Sequence, residues 1–258
     1  EKGTLPSITV NEYNKAYDGL SHGIVVTSSG STIKYGTVSG TYNLDASPTY
    51  KDVGEYTVYY QVSREGYNTI TGSAKIIITK ADGTVIAPTA KALTYTGTAQ
   101  TLINAGSSST GSIRYKLNDG SYSENLPQAT NAGTYTVYYK VVGDNNHKDV
   151  AENSIKVTIE KATGQVTTPT AKTLAYTGSA QTLINAGSSS TGTIQYKLDN
   201  GSYSTTLPKE TNPGTYKVYY KVVGDSNHKD VAENSINVTI NKAVNLIKLS
   251  SNVGTYTY

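Results

Sequence analysis

The 258 residues carry 22 Lys and Arg against 19 Asp and Glu, a formal net charge of +3, with 23 Tyr but no Cys, Met, Trp or Phe. Without Cys there is no disulfide framework, thiolate metal site or cysteine nucleophile. The scattered basic residues form no stripe to follow a phosphate backbone, which argues against nucleic acid as a partner, and no stretch reaches the ~20 apolar residues of a membrane span.

In chain order, the opening EKGTLPSITV has no charged-then-apolar leader, so a mature fragment or excised piece is expected. The first predicted module, 1–79, contains AYDG at 16–19, IKYG at 33–36, DVGEYTVYYQV at 52–62 and GSAKIIITK at 72–80. The second, 80–160, answers with TYTG at 94–97, IRYK at 113–116, NAGTYTVYYKV at 131–141 and NSIKVTIEK at 153–161. The third, 161–241, repeats the second closely: LINAGSSSTG at 102–111 and HKDVAENSI at 147–155 both recur unchanged 81 residues later. That period is one domain per repeat, too long for a solenoid turn. The remainder, 242–258, is expected to be the first strand of a truncated further module.

Within each repeat the apolar pattern has period two. Tyr135, Val137, Tyr139 and Val141 share one face, and Thr134, Thr136, Tyr138 and Lys140 the other, as in a half-buried strand. Tyr60, Tyr139 and Tyr220 are thereby assigned to the core, and Tyr59, Tyr138 and Tyr219 to the outer face. Turn signals such as NDG at 118–120 and GDNN at 143–146 separate the segments. About seven short strands in ~80 residues predict an antiparallel sandwich.

DVGEYTV at 52–58 resembles the tyrosine-corner phrase of the immunoglobulin fold, with Val58 in the place of the second disulfide Cys. The resemblance makes Tyr56, Tyr135 and Tyr216 structural corner tyrosines, and Tyr35, Tyr115 and Tyr196 substitutes for the strand C tryptophan. With neither cysteine pair nor tryptophan, the chain is similar instead to tandem bacterial Ig-like repeats of the disulfide-free YDG/MBG type, found in large cell-surface adhesin-like proteins. AYDG, the Gly-x-Tyr-x-Val-x-Tyr strand and the closing strand that runs through Lys into the next copy carry that resemblance. It implies an all-β chain of three tandem immunoglobulin-like antiparallel β-sandwiches arranged end to end, each contacting its neighbours, in an extracellular setting at a bacterial surface or secreted. IITKADGTV at 77–85 and TIEKATGQV at 158–166 lack a Gly/Ser or Pro-rich tether. Strands of about ten residues at about 3.3 Å each give modules of about 33 Å, so three in line would approach ~100 Å.

The most chemical stretch is GDNNHKDVAEN at 143–153 and its copy GDSNHKDVAEN at 224–234. Asp144, His147 and Asp149, with Asp225, His228 and Asp230, are the metal candidates. Their spacing is neither an EF-hand nor a zinc pattern, and the first repeat has SREGYNTITGS at 63–73 there, so the simpler reading is a turn between the last two strands. The histidines His22, His147 and His228 stand far apart in sequence, and nothing marks a triad; no enzyme activity and no cofactor are expected. LPQAT at 126–130 and LPKET at 207–211 lack the Thr-Gly of a sortase signal. For an intramolecular isopeptide bond the partners would be Lys91 or Lys172 with Asn153 or Asn234 and the acid Glu152 or Glu233. The outward Tyr59, Tyr138 and Tyr219 are candidate ligand-binding residues.

The function expected is a stalk or spacer projecting a functional region from the cell. The alternatives are a multivalent module binding a host or microbial surface glycan or protein through exposed tyrosines, and an accessory segment of a large extracellular enzyme.

Overall fold

The computed structural model describes residues 1–244; the truncated strand expected within 242–258 lies outside them from 245 onward. The described chain is all-β, in tandem β-sandwiches. Contacts group it into two compact units. One comprises Glu1–Lys91, Thr101–Ala129 and Tyr135–Val157, and so holds the first repeat and most of the second. The other comprises Ala92–Gln100, Thr130–Thr134 and the described residues from Thr158 onward, and so holds the third repeat with the remaining pieces of the second.

In the first unit, the first repeat shows how the sequence builds a sandwich. Gly54–Ser63 and Ile70–Thr79 form a long antiparallel hairpin, flanked by Thr32–Gly36 on one side. The opening strand splits. Ile8–Asn11 pairs antiparallel with Val25–Ser28, while Tyr13–Ala16 crosses over and runs parallel to Ile70–Thr79. Glu12, between the halves, accepts a hydrogen bond from Lys75 N at 2.9 Å. Leu5, Ile24 and Val26 from one side meet Tyr35, Val58, Val62, Ala74, Ile76 and Ile78 from the other in one buried core. Alternation decides who enters it: Val58 and Val62 are fully buried, and every second residue between them points away from the deepest layer.

The second repeat places Gly111–Leu117 against Gly133–Gly143, pairing Tyr115 with Tyr139 as Tyr35 pairs with Tyr60. Asn118 closes the predicted NDG turn at φ 48°, a left-handed conformation that Asn tolerates. Tyr115 is only 2 % exposed, and its phenol is satisfied by accepting from Gly106 N at 2.9 Å.

In the second unit the third repeat pairs Gly192–Leu198, Gly214–Gly224 and Val231–Asn241 antiparallel in that order, with a register shift between Tyr220 and Val222, and has Leu174–Ala175 parallel to the last. Its core is Leu183, Ile184, Tyr196, Val218, Tyr220, Val238 and Ile240. Buried tyrosines thus supply the bulk that a chain without Phe or Trp cannot otherwise provide. Among the described residues no helix is long and apolar enough to cross a membrane.

Candidate functional site

Polar side chains converge where one repeat meets the next. At the junction of the first and second repeats, the turn 144–149 is shaped by its own acids. Asp144 Oδ1 accepts from Asn146 N at 2.8 Å and from His147 Nδ1 at 2.7 Å, and Asp149 Oδ1 accepts from Gly143 N at 2.8 Å. Gly143 is needed because a Cβ there would lie 2.3 Å from the His147 carbonyl oxygen. So folded, the turn presents Asn146 to the corner of the preceding repeat. Asn146 Oδ1 accepts from Val53 N at 2.9 Å, and its Nδ2 donates to Asp52 Oδ1 at 3.0 Å.

The linker is stitched to the same turn. Ala81 N donates to Asn146 O at 3.0 Å and Lys148 N to Ala81 O at 2.8 Å, while Lys80 Nζ donates to the Asp144 and His147 carbonyls at 2.9 and 3.1 Å. Tyr17, from AYDG, meets His147 edge to face with ring centroids 5.4 Å apart. Gly19 permits that motif's turn, at φ 81°.

In the second unit the junction of the second and third repeats copies this chemistry. Asn227 Oδ1 accepts from Ala132 N at 2.8 Å, Lys161 Nζ donates to Asp225 O at 2.8 Å, and Tyr95 meets His228 at 5.3 Å. Ala162 N donates to Asn227 O at 2.9 Å and Lys229 N to Ala162 O at 2.8 Å.

The electrostatics agree with this geometry. The His147 hydrogen bond, then that from Asn146 N, holds the Asp144 carboxyl below its usual range; for Asp225 the Asn227 backbone bond leads and His228 follows. The Asp144–His147–Asp149 and Asp225–His228–Asp230 candidates are therefore engaged in shaping a turn, each aspartate directing its Oδ1 at a backbone N–H, and Asp144 and Asp225 at an imidazole as well. Among the described residues no group of three or more His, Cys, Asp or Glu is placed to hold a metal ion.

The corner tyrosines lie beside the junctions. Tyr56 Oη donates to Asp52 O at 3.0 Å and Tyr216 Oη to Asn212 O at 2.8 Å; Tyr135 is engaged as well. The corner hydroxyl and the following repeat's Asn thus reach the same short segment, 52–53, from two sides.

A second constellation covers the outer face of the long hairpin. Tyr138 and Tyr219, expected to face solvent, are half-buried because lysine heads cover them: Lys116 Nζ lies 4.6 Å from the Tyr138 ring centroid and Lys197 Nζ 4.7 Å from that of Tyr219. Tyr122 Oη donates to Glu152, Lys116 Nζ is 3.0 Å from Glu152 Oε2, and Lys140 Nζ sits 4.5 Å above the Tyr122 ring. Tyr203, Glu233, Lys197 and Lys221 repeat the arrangement. The Tyr122 bond, then Lys116, keeps the Glu152 carboxyl below its usual range, while burial and that same bond push the Tyr122 hydroxyl well above its ordinary value. Tyr59, the first-repeat equivalent, is also half-buried, but Gly36, Gln61 and Thr71 stand where the charged members would be.

Glu152 and Glu233 are thus committed to Tyr122, Lys116, Tyr203 and Lys197, while Asn153 Oδ1 accepts from Ser154 N at 2.7 Å. The clefts of about 310 and 340 Å³ are bordered by Ser108 and Thr84, and by Ser189 and Gln165, whose serine hydroxyls donate to the Thr84 and Gln165 carbonyls at 2.7 Å. Sequence reasoning missed Asn146, Asn227, Tyr17, Tyr95, Tyr122 and Tyr203. The available signal was the exact return of Asn-His-Lys 81 residues on, together with the Lys-Ala that it meets.

No protein-family model matches the sequence, and no curated protein does. Similar solved structures include mouse cadherin-23 EC22-24, 13% identical, covering 92% of this chain and 100% of that one at a TM-score of 0.30. Sidekick-1 immunoglobulin domains 1-5 are 10% identical, covering 94% and 60% at 0.30. The Bacteroides ovatus SGBP-B of a mixed-linkage glucan utilization locus, solved with a mixed-linkage heptasaccharide, is 14% identical, covering 93% and 67% at 0.19.

Proposed function

We propose that the chain is a non-catalytic spacer segment of an extracellular, adhesin-like surface protein of bacterial type, whose repeats carry a functional region away from the cell. The supporting observation is that each junction is built without slack: linker backbone, the next turn's Asn and the preceding corner are joined by direct hydrogen bonds. A tether meant only to connect would not need them. Small-angle scattering of the chain tests the reading. A spacer gives a maximum dimension approaching ~100 Å; a particle of half that length would overturn it.

A second reading, multivalent glycan or protein binding, is favoured by one observation, the Tyr/Lys/Glu constellation present twice and absent from the first repeat. Two weak copies on one chain would gain by avidity. On a glycan array, binding that falls when Tyr122 and Tyr203 are both replaced by Ala would support it, whereas no binding by the intact chain would remove it. Either role is compatible with an accessory position beside a catalytic domain of a larger protein.

A further inference from the structure

We infer that the junction is a selective docking surface: it takes a repeat whose turn carries Asp-x-Asn-His and needs a free N–H at the second residue of the preceding corner, so both outer ends of this three-repeat segment are unable to make the clip. The acceptor is the Asn side chain of the following repeat, and the donor is Val53 N in the first repeat and Ala132 N in the second. At the third corner, Asn212-Pro213-Gly214, that position is proline, which has no N–H. The corner itself is intact, with Tyr216 Oη bonded to Asn212 O at 2.8 Å. Proline there removes the docking donor without disturbing the fold.

The opposite end lacks the other half. In the first repeat Gly3 bridges Tyr67 as Ala81 bridges His147, and Gly3 N donates to Gly66 O as Ala81 N donates to Asn146 O. Gly66 therefore occupies the Asn146 position and has no side chain to offer, while Arg64 lies over its own turn's Tyr67 ring at 4.8 Å. The partner chemistry is thus specific: a repeat with the Asn-His turn, seated on a corner that is not Asx-Pro-Gly. The inference concerns the junction itself and holds for a spacer and for a binding array alike.

Amide exchange in the whole chain tests it. Ala132→Pro recreates the third repeat's own Asn-Pro-Gly-Thr-Tyr and should leave the modules folded. Exchange at Ala162 and Lys229, whose N–H groups close the junction, should quicken roughly fivefold, the effect of one net hydrogen bond, with the core amide of Val218 unchanged. Asn227→Ala should do the same, and the double variant no more than either alone. A chain extended after Lys242 by a second copy of residues 162–241 tests the outer end: its new junction should exchange roughly fivefold faster with Pro213 than with Pro213→Ala. Equal exchange in that pair, unchanged exchange in the single variants, or equal acceleration at Val218 would each overturn the inference.

Discussion

Tyrosine carries separate duties in the core and on the outer face, and each can be tested by a single substitution. Tyr115 and Tyr196, 2 % and 3 % exposed, fill the core while accepting hydrogen bonds from Gly106 N and Gly187 N. Tyr115→Phe leaves the part-buried Gly106 N–H without its acceptor, so chemical denaturation should show a loss of about 1 kcal/mol. Burial, and then the bond to Glu152, make the Tyr122 hydroxyl keep its proton well above the ordinary value of 10.0. In Glu152→Gln that charge is gone, and ultraviolet titration should show one tyrosine ionising at lower pH than in the unaltered chain. The inward side of Tyr139 and Tyr220 was legible, because period two states it directly, although Tyr60 in the first repeat is only half-buried. The partners of the outward ones were not. Lys116 and Glu152 lie on polar positions in two other strands, where alternation says which way a side chain points but not whom it meets.

At the scale of the strand, sequence reading located the long hairpins well, since runs such as GTYTVYYKVVG alternate over ten or more residues and end at Gly. The split opening strand escaped it. Leu93–Thr94 and Leu174–Ala175 are two residues long and pair in parallel with the far end of the closing strand, too little sequence to show any period. Leu183 nonetheless anchors a core from a segment this irregular, fully buried beside Gln181–Thr182. Leu183→Ala should cost about 2–5 kcal/mol, against within about 0.5 kcal/mol for Leu20→Ala at an exposed loop position; thermal melts of the two variants compare them.

Across the whole chain, acid is the condition that reaches every repeat. Asp18, Asp82, Asp144, Asp225, Glu152 and Glu233 all have depressed carboxyl values, the leading cause being a hydrogen bond in each case, from His22, Lys148, His147, Asn227 N, Tyr122 and Tyr203 respectively. A depressed carboxyl favours the folded state above its ordinary value, and that support is lost as pH falls through the depressed one. Melting temperature should therefore be level near neutrality and decline once pH drops below 4.5 for the glutamates and 3.8 for the aspartates. Asp144→Asn with Asp225→Asn should flatten the decline. The threefold repeat was plain from sequence alone, and the stretch at 143–149 read as a turn between the last two strands, with its acids as metal candidates only because they stand close in sequence. Their use becomes visible only when the corner of the preceding repeat, more than 90 residues earlier, is brought to Asn146.

The direction of that contact sets an order of assembly. Each of the first two corners is completed by residues that lie further along the chain, so during synthesis the first repeat leaves the ribosome with Val53 N–H still facing water. It gains its last partner only when the following hairpin has closed. Maturation therefore proceeds one way, every newly finished repeat sealing the one made before it.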